Sequence, residues 1–83
     1  MNISIRYFAS IRESLGLSGE HRDTRAATLG ELRDELLTLG GAYAQALERG
    51  KAVRIALNQV MSDEQVALSE GDEVAFFPPV TGG

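Results

Sequence analysis

The stretch Thr28-Leu29-Gly30-Glu31-Leu32-Arg33-Asp34-Glu35-Leu36-Leu37-Thr38-Leu39-Gly40-Gly41 decides the fold. Thr28 followed three residues later by Glu31 is a capping box, in which each side chain satisfies a backbone N–H that the first helical turn leaves unpaired. Leu29, Leu32, Leu36 and Leu39 then recur at helical spacing, which gathers them on one face. Gly30 lies in the first turn, where the helix penalty of glycine does least damage, and Gly40-Gly41 ends the run. The spacing predicts one main helix whose leucine stripe packs on a sheet.

Working outward, both ends of the chain read as strands. From Asn2 to Phe8 the residues alternate, with Ile3, Ile5 and Tyr7 on one face and Asn2, Ser4, Arg6 and Phe8 on the other. Phe8 is then an aromatic on the polar side. At the far end, Glu73 to Phe77 puts Val74 and Phe76 on one face and Ala75 and Phe77 on the other. Ala9 to Leu15 reads as a short helix with Ser10 as cap and Gly16 as stop. Gly19 to Arg25 reads as an edge strand, and Ala42 to Glu48 as a second short helix closed by Gly50. Lys51 to Asn58 alternates again, Val53, Ile55 and Leu57 inward and Arg54, Ala56 and Asn58 outward. Asn58-Gln59 suits a tight turn into the return strand Val60-Met61, and Ser69-Glu70-Gly71-Asp72 is a further turn. The order is that of an α+β layer structure with the main helix on one sheet face. The long connection between the first and last strands permits parallel pairing, so these two are expected side by side at the centre.

With 83 residues the chain suits one small domain, and its 43% hydrophobic and 24% charged residues are ordinary for a globular protein. The absence of cysteine excludes a disulfide framework, a thiol nucleophile and a thiolate metal site. Twelve acidic against eight basic residues, a net charge of −4, disfavour nucleic acid and anionic membranes as partners. No run approaches the roughly 20 apolar residues of a membrane span, and Met1 to Arg6 lacks a signal-peptide pattern. A cytoplasmic protein is therefore expected. His21 stands alone, so no metal site is expected. Asp63, Glu64, Glu70, Asp72 and Glu73 surround turns and read as surface carboxylates, and Lys51 and Arg12 read as ordinary surface charges, with assistance in docking or contact with the tail as their alternative. No constellation for nucleophilic or metal catalysis is present, and no bound cofactor is expected.

The chain continues past the last strand as Pro78-Pro79-Val80-Thr81-Gly82-Gly83. The organisation read here is a domain over residues 1–77 and a tail over residues 78–83. Pro78 and Pro79 lack backbone N–H groups, so they end a sheet ladder and favour stiff extension. Gly82-Gly83 has no side chain to obstruct a narrow passage. Six extended residues reach on the order of 20 Å. Such a tail suits delivery of a terminal carboxylate into a pocket on another protein, where conversion to an acyl-adenylate or thiocarboxylate would make it reactive.

Phe76-Phe77-Pro78-Pro79-Val80-Thr81-Gly82-Gly83, preceded by Gly71-Asp72-Glu73-Val74-Ala75, resembles the C-terminus of the small subunits of molybdopterin synthase (the MoaD family). Tyr7-Phe8-Ala9, Arg12-Glu13, Glu48-Arg49-Gly50-Lys51 and Asn58-Gln59 match as well, so the resemblance spans essentially the whole chain. It implies a ubiquitin-like β-grasp fold. It also implies that Gly83 is adenylated by an ATP-dependent, MoeB-like activating enzyme and converted to a thiocarboxylate, with Gly82 the slim residue behind it. The sulfur would pass to cyclic pyranopterin monophosphate inside a MoaE-like large subunit, within a heterotetramer, to build the dithiolene of molybdopterin. Phe8 and Phe77, which the alternation places on the face away from the core, would form a hydrophobic docking patch that Met61 can join from the return strand and that continues into Pro78, Pro79, Val80 and Thr81. Carriers for thiamine thiazole synthesis or tRNA thiolation share this chemistry, although thiazole carriers usually lack the Phe-Phe-Pro-Pro-Val-Thr stem. A passive β-grasp binding module with an inert tail is the alternative from a different class.

Overall fold

The alternation at the N-terminus becomes strand β1 (Asn2–Tyr7), and the computed structural model, which describes residues 1–79, builds the sheet around it. Helix α1 (Ala9–Leu15) and strand β2 (Gly19–Asp23) follow, then helices α2 (Leu29–Leu37) and α3 (Gly41–Ala46), and finally strands β3 (Arg54–Leu57), β4 (Val60–Ser62) and β5 (Glu73–Phe77). The sheet order is β2-β1-β5-β3-β4. β1 and β5 pair in parallel at the centre, Ile5 beside Val74 and Tyr7 beside Phe76, and the other neighbours are antiparallel. This is the mixed sheet with helices on one face expected of a β-grasp domain.

The core forms where α2 meets the sheet. Leu29, Leu32 and Leu36 are fully buried against Ile3, Ile5, Tyr7, Ile55, Val74 and Phe76. Each such side chain contributes about 1.5–3 kcal/mol of transfer free energy. The Thr28 half of the capping box forms, the Glu31 N–H donating to Thr28 Oγ1 at 3.2 Å, whereas Glu31 Oε1 accepts from the Ala27 N–H at 3.3 Å, one residue before the cap. Asn58 and Gln59 both have positive φ, 50° and 70°, as a two-residue hairpin turn between β3 and β4 requires. The Glu73 N–H donates to Asn58 Oδ1 at 2.9 Å, tying that turn to β5.

Several boundaries depart from the pattern. β2 stops at Asp23 rather than Arg25 because Thr24 turns inward, donating from Oγ1 to Glu35 at 2.7 Å and accepting from the Ala26 N–H. α2 stops at Leu37, where the Thr38 N–H reaches the Asp34 and Glu35 carbonyls. Leu39 therefore leaves the stripe and is 48% exposed. α1 begins on Phe8 in extended conformation with no side-chain cap, so Ser10 does not serve as one. α3 spans Gly41–Ala46 instead of 42–48, and β3 starts only at Arg54.

Those two later shifts have one cause. Arg33 projects from α2 into the segment after α3 and is 3% exposed. Its guanidinium donates to the carbonyls of Leu47, Glu48 and Lys51 at 2.8, 2.6 and 3.1 Å and to Glu64 at 2.9 Å. A buried charge is tolerable only when satisfied in this way. The cost is met by shaping residues 47–51 into a turn around the guanidinium instead of a helix end or a strand.

Candidate functional site

β5 carries the chain to the site, and its neighbours determine what surrounds it. Phe8, just beyond β1, donates its N–H to the Phe76 carbonyl at 3.2 Å, which continues the central ladder by one residue. Ala9 then takes φ of 51°, a left-handed conformation costly for a residue with a Cβ, and the chain turns into α1. The result places the Phe8 ring flat on Phe77, with centroids 4.6 Å apart and planes 8° from parallel. This stack lies on the sheet face away from α2, and both rings are half-buried.

The same face continues across β3 and β4. Residues directly opposite one another in a sheet share a face, so Arg6, Ala75, Ala56 and Met61 form one row, and Phe77 and Arg54 belong to the next. Met61 is 48% exposed. Ala56 and Ala75 are buried beneath their longer neighbours, and their short side chains leave the middle of the face lower than its rim. The structure thus brings Phe8 and Phe77 into contact and sets Met61 on the same face from β4. Arg6 spreads over Phe8, its guanidinium carbon 5.5 Å from the ring centroid.

Behind this face the same strands present a second aromatic pair. Tyr7 and Phe76 stack inside the core with centroids 6.1 Å apart, and Tyr43 meets Tyr7 edge-on. Both tyrosine hydroxyls donate to Glu20 Oε2 at 2.7 Å. Burial, and then the Glu20 carboxylate, push both phenols above their ordinary pKa. They are held neutral as donors to Glu20.

At the root of the tail, Pro78 and Pro79 leave the ladder and line a groove of about 330 Å³ together with Ile11 and Ser14 of α1, Ala46 of α3 and Lys51. Lys51 donates from Nζ to the Gln45 carbonyl at 2.8 Å, which holds it beside this groove. Val80, Thr81, Gly82 and Gly83 lie outside the described residues. Among the described residues no group of three or more His, Asp or Glu side chains is arranged to hold a metal ion. No helix there is long and apolar enough to cross a membrane.

Sequence reasoning overlooked Glu64, which was read as a turn carboxylate. It instead joins Arg33 of α2 to Arg49, which also holds Asp34 at 2.7 Å. Burial opposes its ionisation, but Arg49 and Arg33 outweigh this and keep the carboxyl below the ordinary range. Arg6 and Arg54 were read as outward residues without a task. Their signal was available in the alternation, which put both on the face of Phe8 and Phe77.

Comparison with known proteins agrees with this arrangement. The family model described as the ThiS family matches residues 5–83. The molybdopterin synthase sulfur carrier subunit of Haemophilus influenzae is 40% identical over 81 residues, covering 98% of this chain and 99% of the relative. Among solved structures, SAMP1 from Haloferax volcanii superposes with a TM-score of 0.78 at 28% identity, covering both chains in full. A protein–protein complex of subunits 1 and 2 of the molybdopterin-converting factor from Helicobacter pylori contains a chain similar over the full length of both, with a TM-score of 0.70 and 30% identity. On the family match and this full-length likeness, the chain belongs to the ThiS family and is similar throughout to its molybdopterin synthase sulfur carrier subunits.

Proposed function

We infer that this chain is the sulfur-carrier subunit of a molybdopterin synthase. The observation that carries the reading is the likeness to such subunits at 40% identity over essentially the whole of both chains. The resemblance to a chain found in a complex of the two converting-factor subunits supports a large-subunit partner. The reactive group in this reading is the carboxylate of Gly83. A carboxylate oxygen attacks the α-phosphorus of ATP on an activating enzyme, giving an acyl-adenylate and releasing pyrophosphate. A sulfur donor then displaces AMP, leaving a thiocarboxylate. The large subunit receives the tail, the thiocarboxylate sulfur bonds to cyclic pyranopterin monophosphate, and water cleaves the acyl–sulfur bond, restoring the Gly83 carboxylate and leaving one arm of the dithiolene.

In this scheme the chain's own residues bind and position. Phe8, Phe77 and Met61 dock the domain, Pro78 and Pro79 set the direction of the tail, and Val80, Thr81 and Gly82 thread the passage. No side chain of this subunit acts as an acid, base or nucleophile. ATP belongs to the activating partner. The assembly is a heterotetramer of two carriers and two large subunits, working in the cytoplasm.

Intact mass spectrometry after incubation with activating enzyme, ATP and a sulfide source tests the chemistry. One carboxylate oxygen is expected to be replaced by sulfur, and the modified chain should support dithiolene formation with the large subunit. Removal of Gly82-Gly83 should abolish both results and leave the circular dichroism spectrum unchanged. Sulfur transfer by that truncated chain would refute the assignment.

A further inference from the structure

The basic side chains are unevenly used. Arg22, Arg33 and Arg49 are engaged by carboxylates in the body of the domain. Arg6, Arg12, Arg25, Lys51 and Arg54 make no salt bridge among the described residues. Two of these stand in a particular relation to the aromatic stack. Arg54 lies directly opposite Phe77 across the β3–β5 ladder, and Arg6, two residues before Phe8 along β1 and its extension, lies over the Phe8 ring. The stack is therefore flanked by Arg54 across the sheet and by Arg6 along β1, with both arginines exposed.

The carboxylates of β5 and its turn lie at the other end of the same strands. Glu73 sits opposite Ser4, and Glu70 and Asp72 occupy the turn before it. A chain of net charge −4 thus places two uncommitted positive charges around the stack at the root of the tail. An apolar patch alone attracts any apolar surface. A patch bracketed by guanidinium groups favours a partner that offers carboxylates at matching positions and repels one that offers cations. When docking excludes water from the rings, the attraction at their edges strengthens, because the local dielectric falls.

We propose that Arg6 and Arg54 form a basic bracket that selects a large subunit carrying carboxylates on both sides of an apolar docking centre. This rests on the sulfur-carrier reading above, and it adds two specificity-determining residues and the chemistry of the surface they meet. The bracket acts at encounter, steering the carrier so that the aromatic stack and the tail arrive together.

The test measures association of the full-length chain with the large subunit encoded in the same genome, by stopped-flow fluorescence at low and high ionic strength. Reversal of both charges, Arg6→Glu with Arg54→Glu, should slow association about tenfold or more at about 0.05 M salt and only about threefold at about 0.5 M. Arg25→Glu provides the control for net charge against the single reversal Arg6→Glu, because Arg25 lies beside Glu31 and Asp34 of α2, away from the docking face. It should change the rate less than about twofold. Arg6→Lys with Arg54→Lys should stay near the wild-type rate.

Wild-type association by the double reversal at low salt overturns the bracket, as does an equal slowing by Arg6→Glu and Arg25→Glu. Slowed adenylation with unchanged large-subunit association would overturn the assignment to the large subunit. If the double reversal does not fold, Arg6→Gln with Arg54→Gln replaces it, with an expected slowing of about threefold and the same criteria. A wild-type chain that does not bind the large subunit refutes the sulfur-carrier reading and the bracket together. Binding that is indifferent to both arginines refutes the bracket alone.

Discussion

β1 with its extension and β5 each end in two consecutive aromatic residues, Tyr7-Phe8 and Phe76-Phe77, and the sheet sorts them into an inner and an outer pair. The inner pair is almost wholly buried, and the outer pair is half-buried and stacked more closely. Local sequence and backbone pairing are nearly the same for both. What differs is the cover: α2 lays Leu29, Leu32 and Leu36 over one face, and no element of the described residues lies over the other. One ladder therefore carries the core on one side and an uncovered aromatic stack on the other.

The sharpest way to break this comparison is to truncate neighbouring phenylalanines. Phe76→Ala should cost about 3–5 kcal/mol, the usual range for removing a buried aromatic ring. Phe77→Ala should cost no more than about 1 kcal/mol of stability but weaken large-subunit binding by about tenfold or more. Urea unfolding and titration calorimetry measure the two quantities. Equal destabilisation by the two variants would mean that the outer stack is core after all.

Arg33 tests the inner side by charge instead of volume. Arg33→Ala removes four hydrogen bonds and the side chain around which the turn is shaped, leaving the Leu47 carbonyl without its donor, and about 3 kcal/mol should be lost. Arg33→Met keeps most of the volume and should recover only part of that loss, because the Leu47 carbonyl loses its donor while the Glu48 and Lys51 carbonyls keep their backbone N–H partners. Full recovery by methionine would assign the side chain to packing alone. Thermal and urea unfolding of both variants distinguish these outcomes.

Sequence pattern reached the outer pair more readily than it reached Arg33, and the reason is physical. Period-two alternation assigns a face to every strand residue, so Phe8 and Phe77 were legible as aromatics on the wrong side. The parallel pairing of β1 with β5 followed from two apolar strands joined by a long connection. Arg33 carries no such signal, since its partners are backbone carbonyls 14 to 18 residues away and a carboxylate 31 residues away. Leu39 fitted the leucine stripe until Thr38 closed the helix one residue before it. Ala56 and Ala75 were read as outward, which is correct for direction. Alternation does not report that longer neighbours bury them.

A smaller effect belongs to the cap of the helix that covers the inner face. Thr28→Ala removes the acceptor of the Glu31 N–H and should cost about 1 kcal/mol, read as a lower urea midpoint with an unchanged slope. Binding of the large subunit should not change, since Thr28 is remote from the outer stack. A loss of affinity beyond the loss of folded protein would show that the two faces are coupled.

The smallest expected effect is in acid, and it separates the two sides by titration. Burial disfavours the charged form of Glu35, but Arg22 at 2.5 Å, together with Thr24, holds its carboxyl below the ordinary range, as Arg49 and Arg33 do for Glu64. A folded pKa below the unfolded one means that the unfolded chain takes up protons first as pH falls. The stabilisation is therefore complete above about pH 4.3, the ordinary glutamate value, and is lost as pH falls through the lower folded values. Both carboxylates are about one-quarter to one-third exposed, so solvent and salt screen the pairs and the loss is modest. Both act on the α2 side, and the Phe8–Phe77 stack contains no titrating group. The thermal midpoint should fall between pH 5 and about pH 3, and Glu64→Gln should flatten that fall. A midpoint independent of pH over this range, or an undiminished fall in Glu64→Gln, would remove Glu64 from the forces that hold α2 to the turn beneath it.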